Sequence, residues 1–279
     1  MTPRVSIVVP AYNNGAYIAR TMDSILAQTF GDFELVVADH SSTDDTWEVL
    51  QRYTGDPRVR LLTTEAGGGA PRNWSRVTAE ARGELVKLVC GDDLLHPEIL
   101  AEQVAALDAA PGAVLAAARR DIVDAHDRPF VEGRGMPGLS GVVPGREAIR
   151  RTVVAGTNIF GEPGCVLFRR EVLERVGGWD ARFPYLIDQA TYTRVLLEGD
   201  AVAVDRSLAA FRVSDSQWSV RLARSQAEQA IAYHHWLLEE HPDVVSAADV
   251  RRGDLAARAM SIMRRGAYLV MARRMRARG

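Results

Sequence analysis

With 279 residues, 47% of them hydrophobic and 25% charged, the chain can bury the core of one large α/β domain or two small ones. Its 34 basic and 36 acidic residues leave a formal net charge of −2, so no global field draws it to nucleic acid. Two cysteines, Cys90 and Cys165, supply neither a disulfide framework nor a zinc cluster, and no apolar run reaches the ~18 residues that cross a bilayer.

The first twelve residues, "MTPRVSIVVPAY", hold an apolar run too short for an export signal and interrupted by an arginine. Residues 5–9 read instead as a β-branched first strand. The expected location is the cytosol, either free or at a membrane surface. Residues 13–15 make a turn, and Ile18, Met22, Ile25 and Leu26 share one helical face. Residues 33–38 form the next strand, and Ser42 and Thr43 open a helix through Trp47, Val49 and Leu50, with Asp44 and Asp45 favouring its start. A strand over 59–63, a helix over 71–81, a strand over 84–89 and a helix over 97–107 follow. Strands alternating with helices imply a mostly parallel sheet covered on both faces.

The second half is less regular. Residues 119–145 are rich in Gly, Pro and charge and are expected to hold a strand and a mobile loop. Helices are expected over 146–154, 171–176 and 188–197, and strands over 165–168 and 209–213. From residue 219 the pattern is helical, with breaks near 241–242 and 253. The expected organisation is 1–100, 101–218 and a helical 219–279.

In open α/β sheets, ligands gather beyond the carboxyl ends of the strands. Four such ends carry "PAYN", "ADHSSTDD", "GGGAPRN" and "CGDD". Asp92 and Asp93 alone read equally as a solvated turn or as two carboxylates held for a cation. Four polar turns on one rim favour the second reading.

The chain resembles the family-2 glycosyltransferases of GT-A fold from Val5 to about Ser219. The resemblance is carried by "VSIVVPAYNNGAYIARTMDSILAQTFGDFELVVADHSSTDDT", "PRNWSRVTAEARGELVKLVCGDD", "GEPGCVLFRREVLERVGGWD" and "FRVSDSQWS", in that order. It implies a UDP-, dTDP- or GDP-linked sugar donor, Mg²⁺ or Mn²⁺, and transfer to an acceptor hydroxyl with inversion. Pro10, Ala11 and Tyr12 fall where the family cradles the nucleotide, and Asp39 where it contacts the base. Arg72 falls near the phosphates, Asp92 and Asp93 on the metal motif, with Asp93 the principal ligand, and Asp188 on the catalytic base. The residue types suit that chemistry: such cations are held by one or two carboxylates plus substrate phosphates, and an ionised Asp can take the acceptor's proton.

Three positions depart from the family pattern. Cys90 stands two residues before Asp92 where a further aspartate is usual, His40 and Ser41 replace an acidic residue and a glycine, and Ser214 replaces a histidine. Plainer roles stand beside each assignment. Tyr12 can pack at a turn, Arg72 can pair with a local carboxylate, and Asp188 can cap its helix. Trp179 suits core or sugar platform, Asp180 a local acceptor or an acceptor contact, and His234 and His235 read as packed or exposed helix residues. A nucleotidyltransferase would also use acidic metal ligands on a parallel sheet, but "PAYNNGAY" lacks a basic residue in its first turn. A noncatalytic sugar-nucleotide-binding member is the other alternative. The tail, "MSIMRRGAYLVMARRMRARG", reads either as a basic amphipathic helix at an anionic membrane or as a helix packed on the domain, with Gly266 interrupting it.

Overall fold

The apolar runs of the first half become β1 (Val5–Ala11), β2 (Phe33–Asp39), β3 (Val59–Thr63) and β4 (Leu85–Leu88). Between them lie α1 (Ile18–Leu26), α2 (Thr46–Gln51) and α3 (Gly69–Thr78), in a computed structural model that describes residues 2–213 and 225–276. All seven residues of β1 are buried, and β1 pairs in parallel with β2 on one side and β4 on the other. β3 pairs in parallel with the far side of β2. The carboxyl ends of all four strands therefore share one rim.

The chain continues through β5 (Leu94–Leu95), α4 (Ile99–Ala109), β6 (Ala113–Val123), β7 (Pro129–Arg134) and β8 (Gly141–Val143). Next come α5 (Gly145–Ala155), β9 (Val166–Arg169), α6 (Arg170–Arg175), α7 (Ile187–Leu196) and β10 (Asp200–Arg212). Two helices close the fold, α8 (Gln226–Glu240) and α9 (Ala247–Arg276). One mixed sheet runs in the order β3-β2-β1-β4-β9-β6-β10-β5, with β7 on β6 and β8 on β10. Antiparallel β9 joins β4 to β6, so residues on both sides of position 100 share the sheet.

Several boundaries differ from the sequence reading for identifiable reasons. The helix expected from Ser42 starts at Thr46, because the Asp44 carboxylate first folds the turn by accepting the Gly15 and Thr46 backbone N–H groups at 2.9 and 3.1 Å. Residues 119–145 are more ordered than expected. They finish β6 and supply the hairpin strand β7 and the strand β8. The strand expected over 209–213 is the end of a 13-residue β10, which also runs parallel to β6. The "FRVSDSQWS" stretch beyond Val213, Ser214 included, lies outside the described residues, as does Arg278.

The break expected near residues 241–242 is present, between α8 and α9, but the one at Gly253 is not. Gly253 sits inside the 30-residue α9, and so does Gly266. A Cβ on Gly253 would lie 2.3 Å from the Val153 carbonyl oxygen of α5. One on Gly156, the left-handed residue that ends α5, would lie 2.3 Å from the Ala257 nitrogen. Both glycines let two helix backbones touch, which fixes α9 against the domain. Gly253→Ala should therefore lower the melting temperature through overpacking of about 1–3 kcal/mol, although alanine is ordinarily the better helix former. Gly266→Ala, which meets nothing within 4 Å, should leave or raise it; equal shifts in the two variants would contradict this packing.

Candidate active site

The rim is tied together before any ligand arrives. Asn73 of α3 is buried, and its side-chain amide donates to the carbonyls of Ala11 at 3.3 Å and Ala38 at 3.0 Å while accepting from Thr64 at 2.7 Å. The ends of β1, β2 and β3 are thus held by one residue that sequence reasoning passed over. His40 is buried as well and holds the Gly67 carbonyl at 2.9 Å, with the Tyr12 ring 5.9 Å away.

On this frame Pro10 and Ala11 are buried at the end of β1, whereas Tyr12 is 55% exposed above them, not packed into the core. Asp39 is buried and accepts from the Ser42 hydroxyl at 2.5 Å and backbone N–H at 3.1 Å. Arg72 follows three consecutive glycines of positive φ and reaches Glu65 at 3.1 Å. Both partners of that pair are exposed, so it holds Arg72 weakly.

Asp92 and Asp93 behave differently from each other. Gly91 lets the turn pass Asn14, whose Oδ1 would be 2.5 Å from a Cβ there. Asp92 then lines a cavity, while Asp93 is buried beneath it and accepts the Arg212 backbone N–H at 3.1 Å. Arg212, at the end of β10 and fully buried, also donates to the Asp92 carbonyl and to Asp127. It stacks over the Tyr17 ring at 4.7 Å. Burial first, then Asp92 and Glu162, push the Asp93 carboxyl well above the usual carboxylate range. Cys90 is held as a neutral thiol by burial and by Asp93, Asp92, Asp188 and Glu162 around it.

Asp188 lines the same cavity from the other side, on the first turn of α7. The helix starts one residue earlier, at Ile187, with Leu186 as its cap, so Asp188 is not the capping residue. Its Oδ2 accepts from Asn158 at 2.9 Å and its Oδ1 from the Gln189 N–H at 2.7 Å. Burial and Glu162 nevertheless raise its pKa to about 6, against the pull of those hydrogen bonds and Arg120. Glu162 is itself ion-paired with the buried Arg120 of β6.

Four other residues fall to plainer roles. Trp179 is core: its indole donates to Thr78 at 2.8 Å and packs edge-on against Trp74 and Phe168. Asp180 is buried and accepts the Arg182 N–H at 3.0 Å. His234 and His235 share Asp254 at 2.9 and 3.0 Å. The sequence assigned no role to Asn73, Arg212, Asn158, Glu162 or Arg120, although the "GGGAPRN", "GEPG" and "FRV" runs hold Asn73, Glu162 and Arg212.

Two carboxylate-bearing turns thus face one cavity beyond the strand ends of a mixed, mostly parallel sheet. The model of glycosyl transferase family 2 matches residues 6–177, and the chain belongs to that family. By family it is a glycosyltransferase of GT-A fold. An uncharacterized Mycobacterium tuberculosis protein is 31% identical over 217 residues, 75% of this chain and 67% of that protein. The poly(ribitol-phosphate) β-N-acetylglucosaminyltransferase TarS of Staphylococcus aureus is 34% identical over 139 residues, 48% of this chain but only 22% of TarS. The TarS 1–349 structure with UDP-GlcNAc superposes with a TM-score of 0.67 at 20% identity, over 85% of this chain and 66% of that one. The Pyrobaculum calidifontis mannosyltransferase PcManGT, solved with GDP-Man and Mn²⁺, does so at 0.64 and 21%, over 97% and 81%.

Because Asn158 donates to the charged form of Asp188, Asn158→Ala should move the Asp188 pKa upward from about 6. The ¹³C shift of the Asp188 carboxyl followed against pH checks this; an unchanged or lower value would contradict it.

Proposed function

We propose that the protein moves a sugar from a nucleoside-diphosphate donor to an acceptor hydroxyl in a single displacement with inversion. The observation that carries this reading is the placement of Asp92 and Asp188 as lining residues of one cavity, Asp92 on the turn after β4 and Asp188 on α7. Tyr12 and Asp39 would seat the nucleoside, on the backbone of Pro10 and Ala11, and Arg72 would meet a phosphate. An arginine can do so bidentately, and the weak pair with Glu65 costs little to exchange.

Among the described residues no three His, Cys, Asp or Glu side chains form a complete cation cage. That donor set fits Mg²⁺ or Mn²⁺, which keep waters and substrate phosphates and need one or two carboxylates. Asp92, on the cavity wall, and Asp93, beneath it, would hold the ion, Asp93 giving up the proton that its burial favours once a cation supplies the opposite charge. When bound, the cation would stabilise the departing diphosphate as a Lewis acid. On the other side Asp188 takes the acceptor's proton, its Oδ1 and Oδ2 aimed by Gln189 and Asn158. A pKa of about 6 suits that role, since the group is mostly ionised at neutral pH yet basic enough to accept a proton.

The tail supports a membrane contact only in part. Leu255, Ile262, Met263 and Val270 are exposed along α9, but Arg264 turns into the cavity and is unavailable to a lipid surface. The described structure holds no helix long and apolar enough to cross a membrane.

Asp188→Asn should leave nucleoside-diphosphate binding intact and lower transfer by ~10²–10⁴-fold. In the unmodified protein kcat/KM should fall tenfold per unit below about pH 6, where Asp188 takes up its proton, and level off above it. Proton NMR of the product should show the anomeric configuration opposite to the donor's. Retention, or a collapse of nucleotide affinity in Asp188→Asn, would overturn the assignment.

A further inference from the structure

The cavity has a third wall, and it is basic. Arg120 of β6 faces Arg134 of β7 in the strand register, and Arg264 reaches in from α9. Arg120 is cradled by two glycines of positive φ: a Cβ on Gly135 would lie 2.9 Å from its guanidinium, and one on Gly161 would lie 2.8 Å from it. Arg264 is held by neutral groups only among its described partners, the Tyr185 hydroxyl at 2.8 Å, Thr157 at 2.5 Å and Gln226 at 3.3 Å. Arg134 lines the cavity half-buried, and among the described residues no carboxylate pairs with it. Glu162 is thus the one described carboxylate paired with any of the three, through Arg120.

Asp92, Glu162 and Asp188 line the same cavity, yet among the described residues only Glu162 forms an ion pair with this wall, and Arg134 and Arg264 are left without a carboxylate within reach. Arg134 holds its proton less tightly than usual because of burial first and then Arg120 and Arg264, with Glu162 and Tyr185 opposing them. An arginine does not lose that proton at physiological pH, so an anion meeting Arg134 and Arg264 would offset the cost of holding them there. The position of the cluster says which substrate brings it. Thr157 grips Arg264 and the next residue, Asn158, grips Asp188, so the arginines belong to the wall of the proposed base. Of the donor-side residues, Asp92 lines the cavity, but Tyr12, Asp39 and Arg72 do not.

Resting on the transferase reading above, we propose that the acceptor is anionic. Its phosphate or carboxylate would be bound by Arg134 and Arg264, with Arg120 behind them, so that a hydroxyl of the same molecule meets Asp188. The C-terminal helix then has a specific purpose: it carries one of the acceptor-binding arginines into a site otherwise built by the sheet domain.

The test is calorimetric titration of the full chain, loaded with a nucleoside diphosphate and Mn²⁺, with three probes that share one ring: glucose 6-phosphate, glucuronate and glucose. At least one anionic probe should bind tenfold or more tightly than glucose, and the stronger of the two names phosphate or carboxylate as the acceptor's group. Arg134→Gln and Arg264→Gln should each weaken that binding about tenfold and leave the Kd for nucleoside diphosphate within twofold. Arg264→Lys, which keeps the charge, should retain most of it. Equal binding of glucose and both anions overturns the proposal, and so does a loss that falls on the nucleoside diphosphate, which would make the arginines part of the donor site. Failure of any nucleoside diphosphate to bind, with anion selectivity preserved, would instead count against the transferase reading and leave the basic wall standing.

Discussion

Four carboxylates, those of Asp92, Asp93, Glu162 and Asp188, surround Cys90 at the end of β4. Like charges brought together out of water repel, and each disfavours the ionised form of the next. The rest of the structure follows from holding them there. Arg212 locks the Asp92–Asp93 turn from beneath, and Arg120 pairs with Glu162. Both arginines are buried, and their desolvation is offset by the carboxylates their guanidinium groups meet, Glu162 for Arg120 and Asp127 for Arg212. What remains is a half-compensated acidic site, in which Asp93 and Asp188 both hold their protons more tightly than ordinary carboxylates.

That arrangement accounts for features that look unrelated in the chain. Gly91 is small because Asn14 crowds it, and Gly135 and Gly161 because Arg120 fills the space a side chain would need. The long β10 delivers Arg212 to the carboxylates of the first half, and Gly253 lets α9 press against α5 closely enough to bring Arg264 to the cavity. The opposition of an acidic side and a basic side within one pocket is a consequence of the sheet order, in which β9 and β6 continue directly from β4.

The alternating first half was legible because β1, β2 and β4 are apolar and mostly buried and α1 is amphipathic, so local pattern and burial agree there. The strand ends followed from it, and with them the whole rim. β6 was only partly legible: "AVLAAARRDIV" is rich in alanine, a weak strand former, yet most of it is buried between neighbours that override local preference. Gly253 misled for the opposite reason, since glycine signals a break unless a second backbone lies against it. The residues that tune the site were hidden for a geometrical reason. Asn158, Glu162 and Arg264 are separated from the residues they serve by tens of positions, and only folding makes them neighbours. Arg264 in particular reads as one more solvated arginine in a basic tail.

In the proposed transferase, the turn after β4 would bring a divalent cation and a diphosphate together at Asp92 and Asp93. Titrating the full chain with UDP, GDP and dTDP, in Mn²⁺ and again in EDTA, tests it without requiring an acceptor. At least one of the three should bind at least tenfold more tightly in Mn²⁺, and Asp92→Asn should abolish that gain without unfolding the protein. A nucleoside diphosphate that binds equally well with and without Mn²⁺ would contradict the account.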